Sequence, residues 1–256
     1  MKKYLTVGFL SVALLAGACS ENVPRERAGE GSVRFDCMVA TSVGTRADMK
    51  ALPQEHVPDI AALRFVITGD DGVEVLSGTM EDYDQPLLSA GTYTASFSYG
   101  DPEAEGATAA HFTGERSFTV VARKTVTEPV TVSLVNSVVS LTFSEWFNKY
   151  YTDFTINIRT TSGYRAGFVG SRDEPLTETF PVYVKPGTKL FLSGRATKTN
   201  GFEVTFPETL VGTTEPRTWH TLRMDAAQVG QAGIVVSLDD TVVAVEEIVV
   251  ELNPEA

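Results

Sequence analysis

Val130-Thr131-Val132-Ser133-Leu134-Val135-Asn136-Ser137-Val138-Val139-Ser140-Leu141-Thr142-Phe143 is the stretch on which the fold turns. Through Leu134 apolar and polar residues alternate, so Val130, Val132 and Leu134 share the buried face of a strand. Asn136-Ser137 interrupts the pattern, and a second β-rich run follows from Val138 to Phe143. One set of strands therefore ends near Asn136 and another begins near Ser137.

Upstream, Val33, Phe35, Cys37 and Val39 alternate with Arg34, Asp36 and Met38, which predicts a strand with Cys37 pointing inward as a small hydrophobe. Residues 41–54 lose periodicity and read as a loop. From Ile60 onward short β segments alternate with turn signals. Gly69-Asp70-Asp71-Gly72 predicts a hairpin turn, because Asp-Gly supplies the positive φ that tight hairpins need. Tyr93, Ala95 and Phe97 share one strand face. In the second set, Ser144 can cap a short helix over residues 145–151, and Phe154, Ile156 and Ile158 lie on one face of the next strand. Asp225–Gly230 reads as one helical turn. Leu88-Ser89-Ala90-Gly91-Thr92-Tyr93 resembles Val184-Lys185-Pro186-Gly187-Thr188-Lys189, with Gly91 and Gly187 as the turning residues. The two sets look alike, and strands about every ten residues with few helices point to antiparallel β sandwiches.

The amino terminus is read separately. Lys2 and Lys3 precede an apolar run from Tyr4 to Ala16, followed by Gly17-Ala18-Cys19 and the polar Ser20-Glu21. This is the pattern of a secretory signal, residues 1–18. A cysteine directly after small residues makes it a lipoprotein signal with acylation at Cys19. Ala16 stands where a lipobox usually has Leu, so an ordinary signal cut near Ala18 is the alternative. The run is too short for a spanning helix, which needs about 20 residues. Residues 19–31 are polar and read as a flexible tether.

Removal of residues 1–18 leaves 238 residues and takes the charge from −12 to −14, with 19 Lys and Arg against 33 Asp and Glu. That balance argues against binding nucleic acid, where clustered cations must neutralise phosphates. Cys37 is then the one cysteine of the folded part. His56, His111 and His220 fall in no metal-ligand pattern, and no nucleophile elbow or phosphate loop is present. No enzyme activity, cofactor or metal is called for. The acids sit in turns, where they are solvated and shape the backbone. Weak Ca²⁺ binding at Glu81–Asp84 and a carboxylate pair for hydrolysis stay open as minor readings. Trp146, Phe147, Tyr150 and Tyr151 read as core packing of a short helix; Trp146 or Trp219 as a stacking platform for glycans is the competing reading.

A lipoprotein signal, a polar tether and tandem β sets joined through Phe118-Thr119-Val120 and the Val130–Phe143 stretch resemble the fimbrillin-like superfamily of Bacteroidales lipoproteins, and a related domain of unknown function in Bacteroides lipoproteins. Trp219-His220-Thr221-Leu222 and Asp239-Asp240-Thr241 before a final strand fit the same pattern. The resemblance implies two tandem transthyretin-like, Greek-key β-sandwich domains with one short helix, over residues 32–136 and 137–256. It further implies a fimbrial accessory, anchor or adhesion subunit, lipid-anchored in the outer membrane and facing outward. Its partners would be other fimbrial or envelope proteins engaged by strand addition. In related pilins a first strand is cut away after an Arg. The matching positions are strand Ser32–Ala40, processing site Arg46 and donor strand Ile234–Leu252. A surface glycan-binding lipoprotein of a polysaccharide uptake system is the alternative.

Overall fold

The computed structural model describes residues 29–226 and 233–247. The signal segment, Cys19, most of the tether, most of the helical turn expected over Asp225–Gly230 and the end of the Ile234–Leu252 run lie outside them. The described fold is all-β with one short α-helix.

The N-terminal half contains β1 (Glu30–Val39), β2 (Ser42–Gly44), β3 (Met49–Ala51), β4 (Arg64–Gly69), β5 (Glu74–Thr79), β6 (Leu88–Ser89), β7 (Gly91–Tyr99), β8 (Phe112–Val120) and β9 (Thr125–Leu134). The C-terminal half contains β10 (Ser137–Phe143), α1 (Glu145–Tyr150), β11 (Tyr151–Thr160), β12 (Arg165–Ser171), β13 (Val182–Val184), β14 (Lys189–Lys198), β15 (Glu203–Thr213), β16 (Trp219–Ala226), β17 (Gly233–Leu238) and β18 (Thr241–Glu247).

Seven strands of the N-terminal half run in the order β5-β4-β7-β8-β9-β1-β6. The sheet folds over at β8–β9, so that β9-β1-β6 faces β5-β4-β7-β8. Phe35 on β1 meets Phe97 on β7 at 5.1 Å and Phe118 on β8 at 5.4 Å, both edge to face. In the C-terminal half β13-β10-β16-β17-β18 faces β12-β11-β14-β15. There Phe143 on β10 packs 4.6 Å from Phe154 on β11. The alternation read in the sequence explains the burial: Tyr93, Ala95 and Phe97 are buried, as are Phe154, Ile156 and Ile158. Ser144 caps α1 by accepting a hydrogen bond from the Phe147 backbone N–H at 3.0 Å, which satisfies one of the orphan donors of a helix start.

Four expectations need correction. The ladders are mixed: β1 pairs with β9 and β10 with β16 in parallel. In each half the first strand returns beside a late strand after the chain has crossed to the other layer. Residues 41–54 hold the β2–β3 hairpin, whose buried Val43 and Leu52 fix it to the core. Regular strand begins at Glu30, two residues inside the expected tether. Gly91 makes no left-handed turn; it opens β7 opposite Val120. Gly187, at φ 74°, does turn the backbone.

The halves meet without slack, since only Val135 and Asn136 separate β9 from β10. Buried Asn136 accepts the His111 backbone N–H on its side-chain oxygen at 2.6 Å and the Arg217 N–H on its main-chain oxygen at 3.1 Å. Val138, Tyr183 and Trp219 from the second set pack in the hydrophobic cluster of the first. Tyr183 and Gly106 exchange both backbone hydrogen bonds at 2.9 Å, and the Tyr183 hydroxyl lies 2.8 Å from His56 Nδ1.

Candidate functional site

The first strand is seated deeply. Ser32 to Val39 lie in register with Thr125 to Val132, with Val33 and Phe35 buried. Upstream, a Cβ at Gly31 would stand 2.3 Å from the Val121 carbonyl oxygen. Only glycine lets the strand pass under the β8–β9 connection, where Arg123 donates its backbone N–H to Glu30 at 2.7 Å. Cys37 points inward, and burial, then the charge of Asp36, pushes its thiol up to about 11. It is a packing residue with almost no thiolate at neutral pH.

Arg46 sits at the exposed tip of the β2–β3 hairpin. Thr45 donates its backbone N–H to the Asp48 carbonyl at 2.7 Å, and its hydroxyl accepts from the Asp48 N–H at 2.9 Å. The Arg46 guanidinium donates to the Asp239 carbonyl at 3.0 Å and to Thr241 Oγ1. Asp239 and Asp240 form the β17–β18 turn, both with positive φ (47° and 65°), as a tight hairpin requires. The structure thus joins two positions read separately in the sequence, Arg46 and the C-terminal run.

Asp239 is the hub of this junction. Its Oδ1 accepts the Thr221 N–H at 2.8 Å, and Oδ2 lies 2.7 Å from buried His220 Nδ1. Burial pushes the Asp239 carboxyl upward. The hydrogen bonds from His220 and Thr221, with the positive charge of Arg46 nearby, outweigh it and hold the carboxyl below its ordinary value. His220 Nε2 accepts the Glu215 N–H at 2.9 Å, so the ring proton resides on Nδ1 and is donated to Asp239. A His–Asp pair with its outer nitrogen already occupied by a backbone donor cannot deprotonate a nucleophile. The adjoining cleft, about 580 Å³, is lined by Thr45, Arg46, Glu215, His220, Asp239 and Thr241. Beside it Lys50 pairs with Glu178 at 2.5 Å and lies 4.1 Å over the Trp219 ring.

The aromatic group read around α1 divides. Phe147 and Tyr151 are buried, while Trp146 is 50% exposed, with its ring stacked on Tyr150 at 6.1 Å and Lys149 Nζ 4.7 Å over it. Trp219 is buried and donates to Ser140 Oγ at 2.9 Å, which removes it as a stacking platform. Among the described residues no three His, Cys, Asp or Glu side chains group as metal ligands; Glu81, Asp82 and Asp84 form no such set. Among them, too, no helix is long and apolar enough to cross a membrane. Sequence reasoning missed the Arg46–Asp239–His220 junction. Its parts stood out singly, but 193 residues separate Arg46 from Asp239.

These features define the class: an all-β sandwich protein whose first strand is built into its core and whose N-terminal hairpin is tied to its C-terminal one. The chain belongs to the family described as Domain of unknown function (DUF4493), which matches residues 29–254. No curated protein matches it. Solved structures similar to it include a protein from Bacteroides ovatus classed by inference as a cell adhesion protein, at 11% identity and TM-score 0.46, over 86% of this chain and 98% of that one. A fimbrial assembly protein from Parabacteroides distasonis matches at 12% identity and TM-score 0.43, over 86% and 98%. The fimbrial anchor protein Mfa2 from Porphyromonas gingivalis matches at 12% identity and TM-score 0.41, over 84% and 99%.

Proposed function

We propose that the protein is a non-enzymatic subunit of the cell envelope, acylated at Cys19 and held in the outer membrane. It acts as a fimbrial accessory, anchor or adhesion protein through strand-mediated contacts with other envelope proteins. Its two tandem sandwich domains, residues 32–136 and 137–256, keep β1 in place. The observation that carries this reading is the seating of β1. It holds eight residues in register beside β9, and the arginine downstream of it is engaged with Asp239 and Thr241. A subunit that surrenders its first strand needs that arginine free in an extended segment for a protease to grip. A subunit that keeps the strand stays joined to its lipid and can fix one end of an assembly.

Mass spectrometry of the protein isolated from envelopes tests this. A mature chain beginning at acylated Cys19 and continuous through Arg46 is expected, together with loss of surface fibres or adhesion on deletion. A mature amino terminus at Ala47 overturns strand retention, an unmodified Cys19 overturns the anchor, and unchanged fibres and adhesion overturn the role.

The exposed Trp146 favours a second reading, a surface glycan-binding lipoprotein, because stacked aromatic rings offer a platform for sugar faces. Glycan arrays with wild-type protein and Trp146→Ala distinguish it: binding lost in the variant supports it, and no binding by either protein removes it.

A further inference from the structure

The two halves share one strand plan, and each adds a hairpin outside it: β2–β3 in the N-terminal half and β17–β18 in the C-terminal half. In space β1, β4, β5, β6, β7, β8 and β9 correspond in order to β10, β11, β12, β13, β14, β15 and β16. Among the described residues β17 and β18 have no counterpart in the N-terminal half, as β2 and β3 have none in the C-terminal half. β17 lies on the side of β16 away from β10, pairing Leu222 to Ala226 with Leu238 to Ile234. The N-terminal half closes its core without such a hairpin, so the strand plan does not require one. What β17 does is cover the β16 edge, whose N–H and C=O groups would otherwise face solvent.

The hairpin's hold on that edge is mixed. Ile234 and Val236 are buried in the second cluster, which anchors β17. Yet the β17–β18 register shifts between Val236 and Ser237, and a shifted ladder specifies position less firmly than a regular one. β18 is an outer strand of its sheet. At the tip Asp239 bonds to Thr221 and His220 of β16, and among the described residues it is there that the hairpin meets a charged side chain of the N-terminal half. There Arg46 donates to the Asp239 carbonyl and Thr241 Oγ1, on either side of the turn. Behind Arg46, Gly44 bridges Thr218 next to the start of β16, and Val43 and Leu52 root the β2–β3 hairpin in the first cluster.

We propose that the β2–β3 hairpin is a releasable clip: Arg46, closing on the Asp239–Thr241 turn, holds β17–β18 in register on the β16 edge, and opening the clip lets that hairpin detach locally. The contact is exposed and made by a flexible side chain, so it can open without unpacking either core. The clip is a property of the chain's mechanics and goes beyond the envelope role; a protein with no fimbrial partner would still carry it.

Hydrogen exchange of the full chain, followed by mass spectrometry, tests the clip. Arg46→Ala removes both bonds and is expected to speed exchange of amides 234–242 about tenfold, with β10, β11 and β14 within about twofold of wild type. Thr241→Val removes one acceptor, and Arg46→Lys keeps the charge without the planar fork; each should give a smaller increase in the same segment. Unchanged exchange over 234–242 in Arg46→Ala overturns the proposal, and so does an increase spread evenly over both halves. If Arg46→Ala fails to fold, Thr241→Val decides: faster exchange confined to 234–242 supports the clip, and wild-type exchange there overturns it.

Discussion

The N- and C-terminal halves solve the same edge problem differently. In the N-terminal half β8 and β9 pair only at Phe112–Leu134 and Thr113–Ser133 and then splay apart. The Val132 and Lys124 carbonyls bond to Ala40 and Ser32, so even-numbered residues of β9 direct their backbone groups toward β1. Odd-numbered ones, Pro129 among them, face the splayed side. Proline has no N–H to leave unpaired there, and the Arg116–Glu128 pair at 2.8 Å spans the opening. In the C-terminal half β15 and β16 lie in separate sheets, and β17 fills the place on β16. One half is closed by chemistry that blocks pairing, the other by an added hairpin. An edge can thus be protected by subtracting a donor or by supplying a partner, and only the second way can be reversed by movement.

The comparison breaks most sharply through core truncation. Phe35→Ala in the first half and Leu141→Ala in the second should each cost about 2–5 kcal/mol. Because Val138, Tyr183 and Trp219 are shared with the first core, each variant should still unfold in a single calorimetric transition. Two separated transitions would mean that the halves fold independently.

Tyr183→Phe sharpens the role of the junction. Removing the hydroxyl bonded to His56 should lower stability by about 1–2 kcal/mol in chemical denaturation, and no loss would mean that the bond to His56 contributes nothing to the seam.

Acid acts on the C-terminal half through Asp239. Its folded value is depressed below the ordinary 3.8. Its stabilisation is therefore fully present above that value and is lost as pH falls through the lower folded one. Stability curves should show Asp239→Asn less stable than wild type at pH 6, the gap narrowing below pH ~4. A gap that is constant with pH would remove the carboxylate from the account.

The smallest effect on stability belongs to Pro129→Thr, within about 0.5 kcal/mol for a surface site. By restoring a donor to the splayed edge, the variant should self-associate as concentration rises, read by light scattering. A strictly monomeric variant would show that the Arg116–Glu128 pair protects the edge alone.

Much of the fold was legible because burial on a strand repeats every two residues. Tyr93-Ala95-Phe97 and Phe154-Ile156-Ile158 therefore declared their inward faces, Ser144 its cap, and Asp71-Gly72 its turn. The Leu88–Tyr93 and Val184–Lys189 likeness also has structural meaning, since both lead from equivalent short strands into equivalent long ones. What escaped was non-local. The β2–β3 hairpin has three-residue strands without alternation, and its stability comes from Val43 and Leu52 reaching a core made elsewhere. The parallel pairs depend on which strands return side by side, which no local pattern encodes.

The sequence by itself determined the all-β class, the inward face of most strands, the short helix after Ser144 and the family resemblance. These follow from side-chain periodicity and backbone preference, which act over a few residues. The tertiary structure alone decided that Arg46 meets Asp239 and that Trp219 is buried while Trp146 is exposed. It also decided that the halves share a packed seam and close their edges by different means. Those outcomes depend on which distant segments the packed layers bring within bonding distance, and a one-dimensional pattern carries no record of that.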